Sequence, residues 1–264
     1  MPAAREPPAV STHDELLALQ RALYESRNPT RRWLHCTRRD WIAERLTRLA
    51  AGRRGAALEV GPGSGVYVPL LARLFDRVTV SDVHDAYLAA ARVIAADHPN
   101  VAVVQDDIRR PALPAASFDV VLCTEVIEHV VESRAALAGM RRLLRPGGVL
   151  VLSTPQRGSP LEVCSKIAFL PGVIDVVRLV YREPILPTGH VNVMTAGEMR
   201  RQLDAAGFAI RESHKSGLYV PVLAEAGGEP GRRLAAWLEA RIYPGPLDWL
   251  LWTQYHVAVA RTRD

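Results

Sequence analysis

Short apolar runs alternate with longer amphipathic segments from residue 56 to the end of the chain. The runs are rich in valine, leucine and isoleucine, as buried strands are, and the segments between them repeat apolar residues at helical spacing. This alternation predicts an α/β fold, in which helices cover both faces of a largely parallel sheet. We predict strands at residues 56–60, 77–82, 101–106, 118–124, 149–154, 209–220 and 252–261, and helices at residues 66–75, 85–97, 134–144, 196–206 and 232–243.

Two segments depart from this rhythm. Residues 11–54 carry two helix patterns separated by a break at residues 28–30, which predicts an N-terminal helical cap after a disordered tail at residues 1–10. Residues 156–190 follow the fifth strand and are strongly apolar at residues 161–181. We predict that this insertion is a lid over the substrate, because a closing apolar segment excludes water from the reacting atoms. A dimer contact or a membrane-surface patch is the alternative.

A glycine-rich turn joins the first predicted strand to its helix, with the sequence Glu59-Val60-Gly61-Pro62-Gly63-Ser64-Gly65. Glycines let the backbone turn sharply and approach a ligand, and the N–H groups that open the next helix form an electropositive rim. Asp82 ends the second predicted strand, where a carboxylate is placed to accept both hydroxyls of a ribose. The turn and the acid together indicate a nucleoside-containing ligand.

The run from Glu59 to Gly65 resembles the first motif of class I S-adenosylmethionine (SAM) dependent methyltransferases. Further matches follow in the family's order between residues 55 and 215, among them Leu144-Arg145-Pro146-Gly147-Gly148, whose glycine pair we expect to end a helix. The resemblance implies a Rossmann-like seven-stranded sheet, mostly parallel with an antiparallel last strand. It also implies SAM as the cofactor, bound by a core at residues 55–155 that residues 191–264 complete.

The resemblance assigns the cofactor contacts residue by residue. Asp107 would accept the adenine amino group, and Ile108 would supply a backbone N–H and an apolar wall; an ordinary acidic turn is the alternative. In this family the helices before the first motif cover the substrate side, which makes Trp33, His35 and Trp41 candidate pocket residues. The full cofactor set is Glu59, Gly61, Gly63, Gly65, Asp82, Val83, Asp107, Ile108 and Thr124.

The tip of the fourth strand, Thr124-Glu125-Val126-Ile127-Glu128-His129, resembles the ubiquinone-biosynthesis type of O-methyltransferase. Glu125 and His129, four residues apart on one predicted helical face, are candidates to line the methionine end of the cofactor or to act on the substrate proton. With Glu128 they could form part of a divalent-metal site, or His129 could be structural; we predict no metal. His190, where the insertion rejoins the core, is the first candidate for the general base, and a lid anchor is its alternative.

Composition narrows the classes of protein that remain. The net charge is +5, but Lys166 and Lys215 are the only lysines, so the arginine bias is a poor argument for nucleic-acid binding. The arginines at residues 31–48 are either a basic surface for an anionic substrate group or a solvated helix face. Three cysteines without C-x-x-C spacing, and no apolar stretch of signal-peptide or membrane-spanning type, predict a cytoplasmic protein.

The predicted activity is SN2 transfer of the SAM methyl group to a small molecule. This acceptor can be hydrophobic or lipid-linked, and the protein can be a homodimer. The run Thr124 to Ile127 replaces the N/D-P-P-Y/F motif of amino methyltransferases, which favours a hydroxyl oxygen of a natural product, quinone, lipid or glycan. A SAM-binding scaffold without activity is one alternative. A nicotinamide-dependent oxidoreductase is disfavoured, because the third glycine of its motif would fall at Val66 or Val68 and no Tyr-x-x-x-Lys pair is present.

Overall fold

The computed structural model describes residues 22–52, 54–168, 170 and 190–262. Seven strands form one sheet in the order third, second, first, fourth, fifth, seventh, sixth. The pairs among the first five strands are parallel, and the seventh strand is antiparallel to both of its neighbours. This confirms the predicted Rossmann-like sheet with its antiparallel last strand. The strands are β1 (Ala56–Val60), β2 (Arg77–Asp82), β3 (Val101–Gln105), β4 (Phe118–Thr124), β5 (Leu144–Pro155), β6 (Phe208–Leu218) and β7 (Leu251–Ala260).

The helices of the described residues follow the predicted order, with two additions that the pattern did not predict, α5 and α7. Short 3-10 turns lie at Ile127–His129 and Asp248–Leu250. The tail at residues 1–10, the start of the first predicted helix and residues 171–189 of the insertion lie outside the described residues. The described end of that first helix, residues 22–25, is helical. The helices are α1 (Pro29–Gly52), α2 (Val68–Leu74), α3 (Asp85–Ala95), α4 (Ser133–Leu143), α5 (Pro160–Ala168), α6 (Ala196–Ala205), α7 (Pro221–Ala226) and α8 (Gly228–Ile242).

The sheet is covered on both faces, which explains why its inner strands read as continuous apolar runs. Successive strand residues point to opposite faces. Val121 and Cys123 of β4 pack with α4 and α6, whereas Val120 and Leu122 pack with α1, α2 and α3. Burying both sets of side chains stabilises each face by the hydrophobic effect and leaves the strand ends free to carry a site.

α1, the second predicted helix, begins earlier than predicted, because the break at residues 28–30 is its cap. The Asn28 Oδ1 atom accepts hydrogen bonds from the backbone N–H groups of Thr30 (2.9 Å) and Arg31 (3.1 Å). Pro29 occupies the first helical position, where its missing N–H costs no hydrogen bond. α6 begins with a capping box in which Thr195 and Glu198 satisfy each other's backbone N–H groups.

One prediction about glycines is wrong, and one helix begins earlier than predicted. Gly147 and Gly148 do not end a helix: α4 ends at Leu143, and Gly147, at φ +73°, belongs to an irregularity in β5 where the register against β4 shifts. α8 begins at Gly228, four residues before the predicted start at residue 232. A Cβ atom on Gly231 would lie 2.5 Å from the Leu223 carbonyl oxygen, so this glycine lets α8 pack directly on α7.

Asp119 connects β4 to β1 and β5 through its carboxylate, and its loss should destabilise the fold strongly. Its buried Oδ2 atom accepts a hydrogen bond from the Ala56 N–H (2.8 Å) and pairs with Arg145. Asp119→Ala leaves both donors without this acceptor, so we expect the free energy of unfolding to fall by about 2–4 kcal/mol. Urea denaturation measures this change. The exposed Asp85→Ala, which breaks a surface pair with Arg92, should leave the midpoint nearly unchanged, and equal effects of the two variants would contradict this role of Asp119.

Candidate functional site

The glycine turn lies at the carboxyl end of β1 in a conformation that only glycine adopts easily. Gly61, Gly63 and Gly65 all have positive φ angles, of 69°, 52° and 72°. A Cβ atom on Gly61 would lie 2.4 Å from a Val126 methyl carbon, and one on Gly65 would lie 2.6 Å from the Ile94 Cδ1 atom. The turn therefore packs tightly against the end of β4 and against α3, and any side chain at these positions would disturb it.

Glu59 lies beneath this turn and is buried without a partner. Its side chain is 1% exposed, and neither carboxyl oxygen has a hydrogen-bond partner among the described residues. Burial raises the pKa of Glu59 to about 8. Leaving such a group unpaired is costly, so the site fits a ligand that brings N–H or O–H donors to this carboxyl group.

The raised pKa of Glu59 predicts a specific pH dependence of stability. Between about pH 4.5 and pH 8 the unfolded chain has lost this proton and the folded chain keeps it, so the free energy of unfolding should fall as pH rises. Glu59→Gln should remove this contribution, roughly 2–4 kcal/mol at pH 8, in urea denaturation without ligands. The exposed Asp97→Asn serves as the matched control. Wild type and Glu59→Gln with parallel pH profiles would show that Glu59 is not the titrating group.

Asp82 lies at the tip of β2, next to the glycine turn in the sheet. It is half-buried, burial raises its pKa, and its Oδ1 atom accepts a hydrogen bond from the His84 N–H at 2.8 Å. Val83, the next residue, is 45% exposed. The neighbouring β1 and β2 therefore end in the glycine turn and a carboxylate, the arrangement that the sequence predicts for a ribose-containing ligand.

Asp107 and Ile108, the predicted adenine contacts, follow β3, and the Asp107 carboxylate is already paired with a neighbouring arginine. The Asp107 carboxylate accepts hydrogen bonds from the Arg109 guanidinium at 2.7 to 3.0 Å, and this contact lowers its pKa. An adenine amino group would have to share the carboxylate with Arg109. The Ile108 side chain packs in the core, but its N–H has no acceptor among the described residues and so can donate to a ligand.

The tip of β4 holds a strained glutamate, and here the sequence interpretation needs correction. Glu125 has φ +53°, rare for a residue with a side chain, and therefore does not share a helical face with His129. Its carboxylate pairs with Arg38 of α1 at 2.9 Å and accepts a hydrogen bond from Ser153 at 2.8 Å. Because Arg38 and Ser153 occupy its carboxylate oxygens, Glu125 suits the positioning of α1 over the site better than contact with a substrate proton.

The arginines of α1 are mostly paired, so they do not form an open basic surface. Arg38 is buried, contrary to a solvated helix face, and Arg45 contacts Glu212 at 2.5 Å. His35 is buried, and burial lowers its pKa to about 3. Trp41 packs in the core, with its ring stacked on that of His214 at 5.6 Å. Of these side chains, Arg38 alone contacts the tip of β4 in the described residues.

Two histidines and two buried carboxyl groups meet beside this tip. The rings of His129 and His190 lie edge to face with centroids 5.2 Å apart. The His190 Nδ1 atom is 3.5 Å from a Glu162 oxygen, a distance typical of an ion pair and long for a hydrogen bond, and this contact lowers the pKa of Glu162. Burial raises the pKa of Glu128, whose second oxygen accepts a hydrogen bond from Thr154 at 2.9 Å. Of the three predicted catalytic residues, His129 and His190 are therefore in contact, whereas Glu125 contacts Arg38 instead.

The same cluster is the one group of described residues with the geometry to hold a metal ion. Ligand atoms of Glu128, His129 and His190 lie within 4.8 Å of one another. The predicted alternative set of Glu125, Glu128 and His129 is not the one assembled, because Glu125 faces Arg38. Carboxylate and imidazole ligands would suit a divalent transition metal.

Comparison with known proteins decides the family. A model described as a methyltransferase domain matches residues 32–213. The chain is 31% identical over 231 residues to a probable S-adenosylmethionine-dependent methyltransferase of Mycolicibacterium smegmatis, a match that covers 86% of this chain and 79% of that protein. This chain belongs to the SAM-dependent methyltransferases. Its cofactor is SAM, and the unpartnered Glu59 and the glycine turn fit that assignment.

Other known proteins resemble this methyltransferase in part of the sequence or in the fold. It is 34% identical over 152 residues to a ubiquinone biosynthesis O-methyltransferase of Xanthomonas oryzae, covering 54% of this chain and 60% of that protein. The structure of the N-methyltransferase NodS of Bradyrhizobium japonicum in complex with S-adenosylhomocysteine matches with a TM-score of 0.58. That match covers 95% of this chain and 97% of NodS at 18% identity, which shows the fold alone.

Several residues of the site were not found from the sequence. Ser153 and Thr154 end β5 at the same edge of the sheet as the predicted site, so the rule that selected Asp82 could have found them. Arg38 and Glu162 carry no local signal, because their partners are distant in the chain.

In the described residues no helix has the length and apolar character needed to span a bilayer.

Proposed function

We propose that the methyltransferase methylates a hydroxyl oxygen of a small, largely apolar molecule beside the tips of β4 and β5. The observation that carries this proposal is the pair of histidines His129 and His190, backed by Glu162 and Glu128. A hydroxyl must lose a proton when it is methylated, and an imidazole is suited to take it. The similarity to proteins named ubiquinone biosynthesis O-methyltransferases supports oxygen as the acceptor atom.

The proposed roles divide between holding the cofactor and managing the proton. Asp82 would accept the ribose hydroxyls, and Asp107 and Ile108 would contact the adenine. When bound, SAM supplies a methyl group on a positively charged sulfur, a leaving group that departs without protonation. The chain's remaining tasks are to align the acceptor, which can contribute several kcal/mol, and to exclude water from the site.

His190 is the better placed of the two histidines to act as general base. Its side chain is 11% exposed, against 44% for His129, and it faces the Glu162 carboxylate. This carboxylate would orient the imidazole and stabilise the imidazolium that forms when the ring takes the substrate proton. His129, at the open side of the pair, would contact the acceptor and help to hold it.

A labelled-methyl assay with matched acceptors tests the proposal. Purified protein is incubated with SAM carrying an isotopic methyl label and with catechol, with a phenol, or with a primary aromatic amine of similar shape. The proposal predicts a methyl ether from a hydroxylated acceptor, identified by mass spectrometry. Transfer to the amine but not to the hydroxylated molecules would contradict oxygen methylation and leave the family assignment in place.

A further inference from the structure

A cavity of about 560 Å³ opens between the first turn of α4 and the length of α6, and no residue that lines it belongs to the cofactor or acceptor site described above. Three arginines line it: Arg134, Arg157 and Arg201. Val193, Ala205 and the largely buried Met194 also line it. Its volume is in the range of small-molecule binding sites.

The charges around the cavity do not balance. Arg157 pairs with Glu198, whose carboxylate also accepts hydrogen bonds from the Thr195 N–H (2.8 Å) and hydroxyl (2.9 Å). Neither Arg134 nor Arg201 has a carboxylate partner among the described residues. Among the described residues that line the cavity, three exposed guanidinium groups and one carboxylate leave an excess of two positive charges, which a bound anion would offset.

The hydrogen-bonding groups show the same excess of donors. The Gln202 side-chain oxygen accepts a hydrogen bond from the Ser133 hydroxyl at 2.8 Å, so its amide nitrogen remains able to donate. The Arg201 guanidinium lies near the start of α6, because its Nη1 atom is 3.6 Å from the place that a Cβ on Gly197 would take. The pair of Arg157 and Glu198 lies at the same turn, so two guanidinium groups converge there.

We propose that this cavity binds a small molecule that carries a phosphate monoester on an apolar body, at a site separate from the SAM crevice. A phosphate monoester carries about two negative charges at neutral pH, which matches the excess of positive charge. The planar fork of arginine binds phosphate oxygens in pairs, and Arg134 and Arg201 are available to do so. Val193 and Ala205 provide the surface for the apolar body.

Calorimetric titration with phenyl phosphate at constant ionic strength tests this proposal. The variant R134Q/R201Q should bind at least tenfold more weakly than wild type. The control R200Q/R211Q removes the same charge from exposed positions outside the cavity and should bind like wild type. Inorganic phosphate should bind more weakly than phenyl phosphate, because it lacks the apolar body.

The affinity for SAM, measured on the same samples, should be equal in all three proteins, which establishes that the variants are folded and that the two sites are separate. Equal weakening of phenyl phosphate binding in both double variants would show a diffuse charge effect and overturn the proposal. Absence of phenyl phosphate binding by wild type would overturn it as well. Neither result would bear on methyl transfer, because the cavity shares no residue with the cofactor and acceptor site.

Discussion

Asp82→Ala is expected to weaken SAM binding about 10²–10⁴-fold, because hydrogen bonds to a charged acceptor contribute roughly 1.5–3 kcal/mol each and the ribose would lose two of them. Asp82 ends β2 beside the glycine turn, and it is half-buried, so water screens the contact incompletely. Isothermal titration calorimetry measures the change directly. The conservative variant Asp82→Asn, which keeps an acceptor oxygen without the charge, should lie between wild type and alanine.

Asp85→Ala is the matched control for this experiment. Asp85 lies three residues further along the chain, at the start of α3, and forms an exposed pair with Arg92. Its removal changes the charge of the protein equally but should leave the affinity for SAM within about threefold, as expected for a surface ion pair. If both variants bind SAM alike, Asp82 is not the ribose acceptor and the placement of the cofactor is wrong.

His190→Gln is expected to lower kcat by about 10²–10⁴-fold for a hydroxylated acceptor, the usual contribution of a general base. Glutamine keeps a polar side chain of similar reach but cannot take a proton at neutral pH. The loss should appear in kcat rather than in KM, because the proton acceptor acts in the chemical step. The affinity for SAM should not change, because His190 lies outside the predicted cofactor set.

Two further variants separate His190 from its neighbours. His98→Gln, at the turn between α3 and β3, should leave kcat unchanged and shows the effect of removing a distant imidazole. His129→Gln should raise KM more than it lowers kcat, because His129 is proposed to hold the acceptor. If His129→Gln instead lowers kcat by about 10²–10⁴-fold and His190→Gln leaves kcat nearly unchanged, the general base is His129.

The regular part of the fold could be predicted because local sequence specifies it. β1, β2 and β4 match their predicted bounds, since each is a short run buried on both faces. The glycine turn could be predicted for a related reason. Positive φ angles at Gly61, Gly63 and Gly65 require a residue type that is visible in the sequence.

The contacts that shape the acceptor side could not be predicted in the same way. Arg38 meets Glu125, and Glu162 meets His190, only after α1 and α5 have packed against the sheet. Spacing suggested that Glu125 and His129 share a helical face, but the left-handed conformation of Glu125 turns its side chain towards Arg38. Tertiary packing thus overrides local periodicity at the functional edge of the sheet, where backbone strain is often concentrated.

Calorimetric titration of the wild-type protein with SAM, S-adenosylhomocysteine and NAD tests the central claim most directly. The claim is that the glycine turn, Glu59 and Asp82 form a crevice for an adenosyl-sulfur cofactor. It predicts binding of SAM and S-adenosylhomocysteine in the micromolar range and no detectable binding of NAD. Binding of NAD alone, or of none of the three ligands by the folded protein, would contradict it.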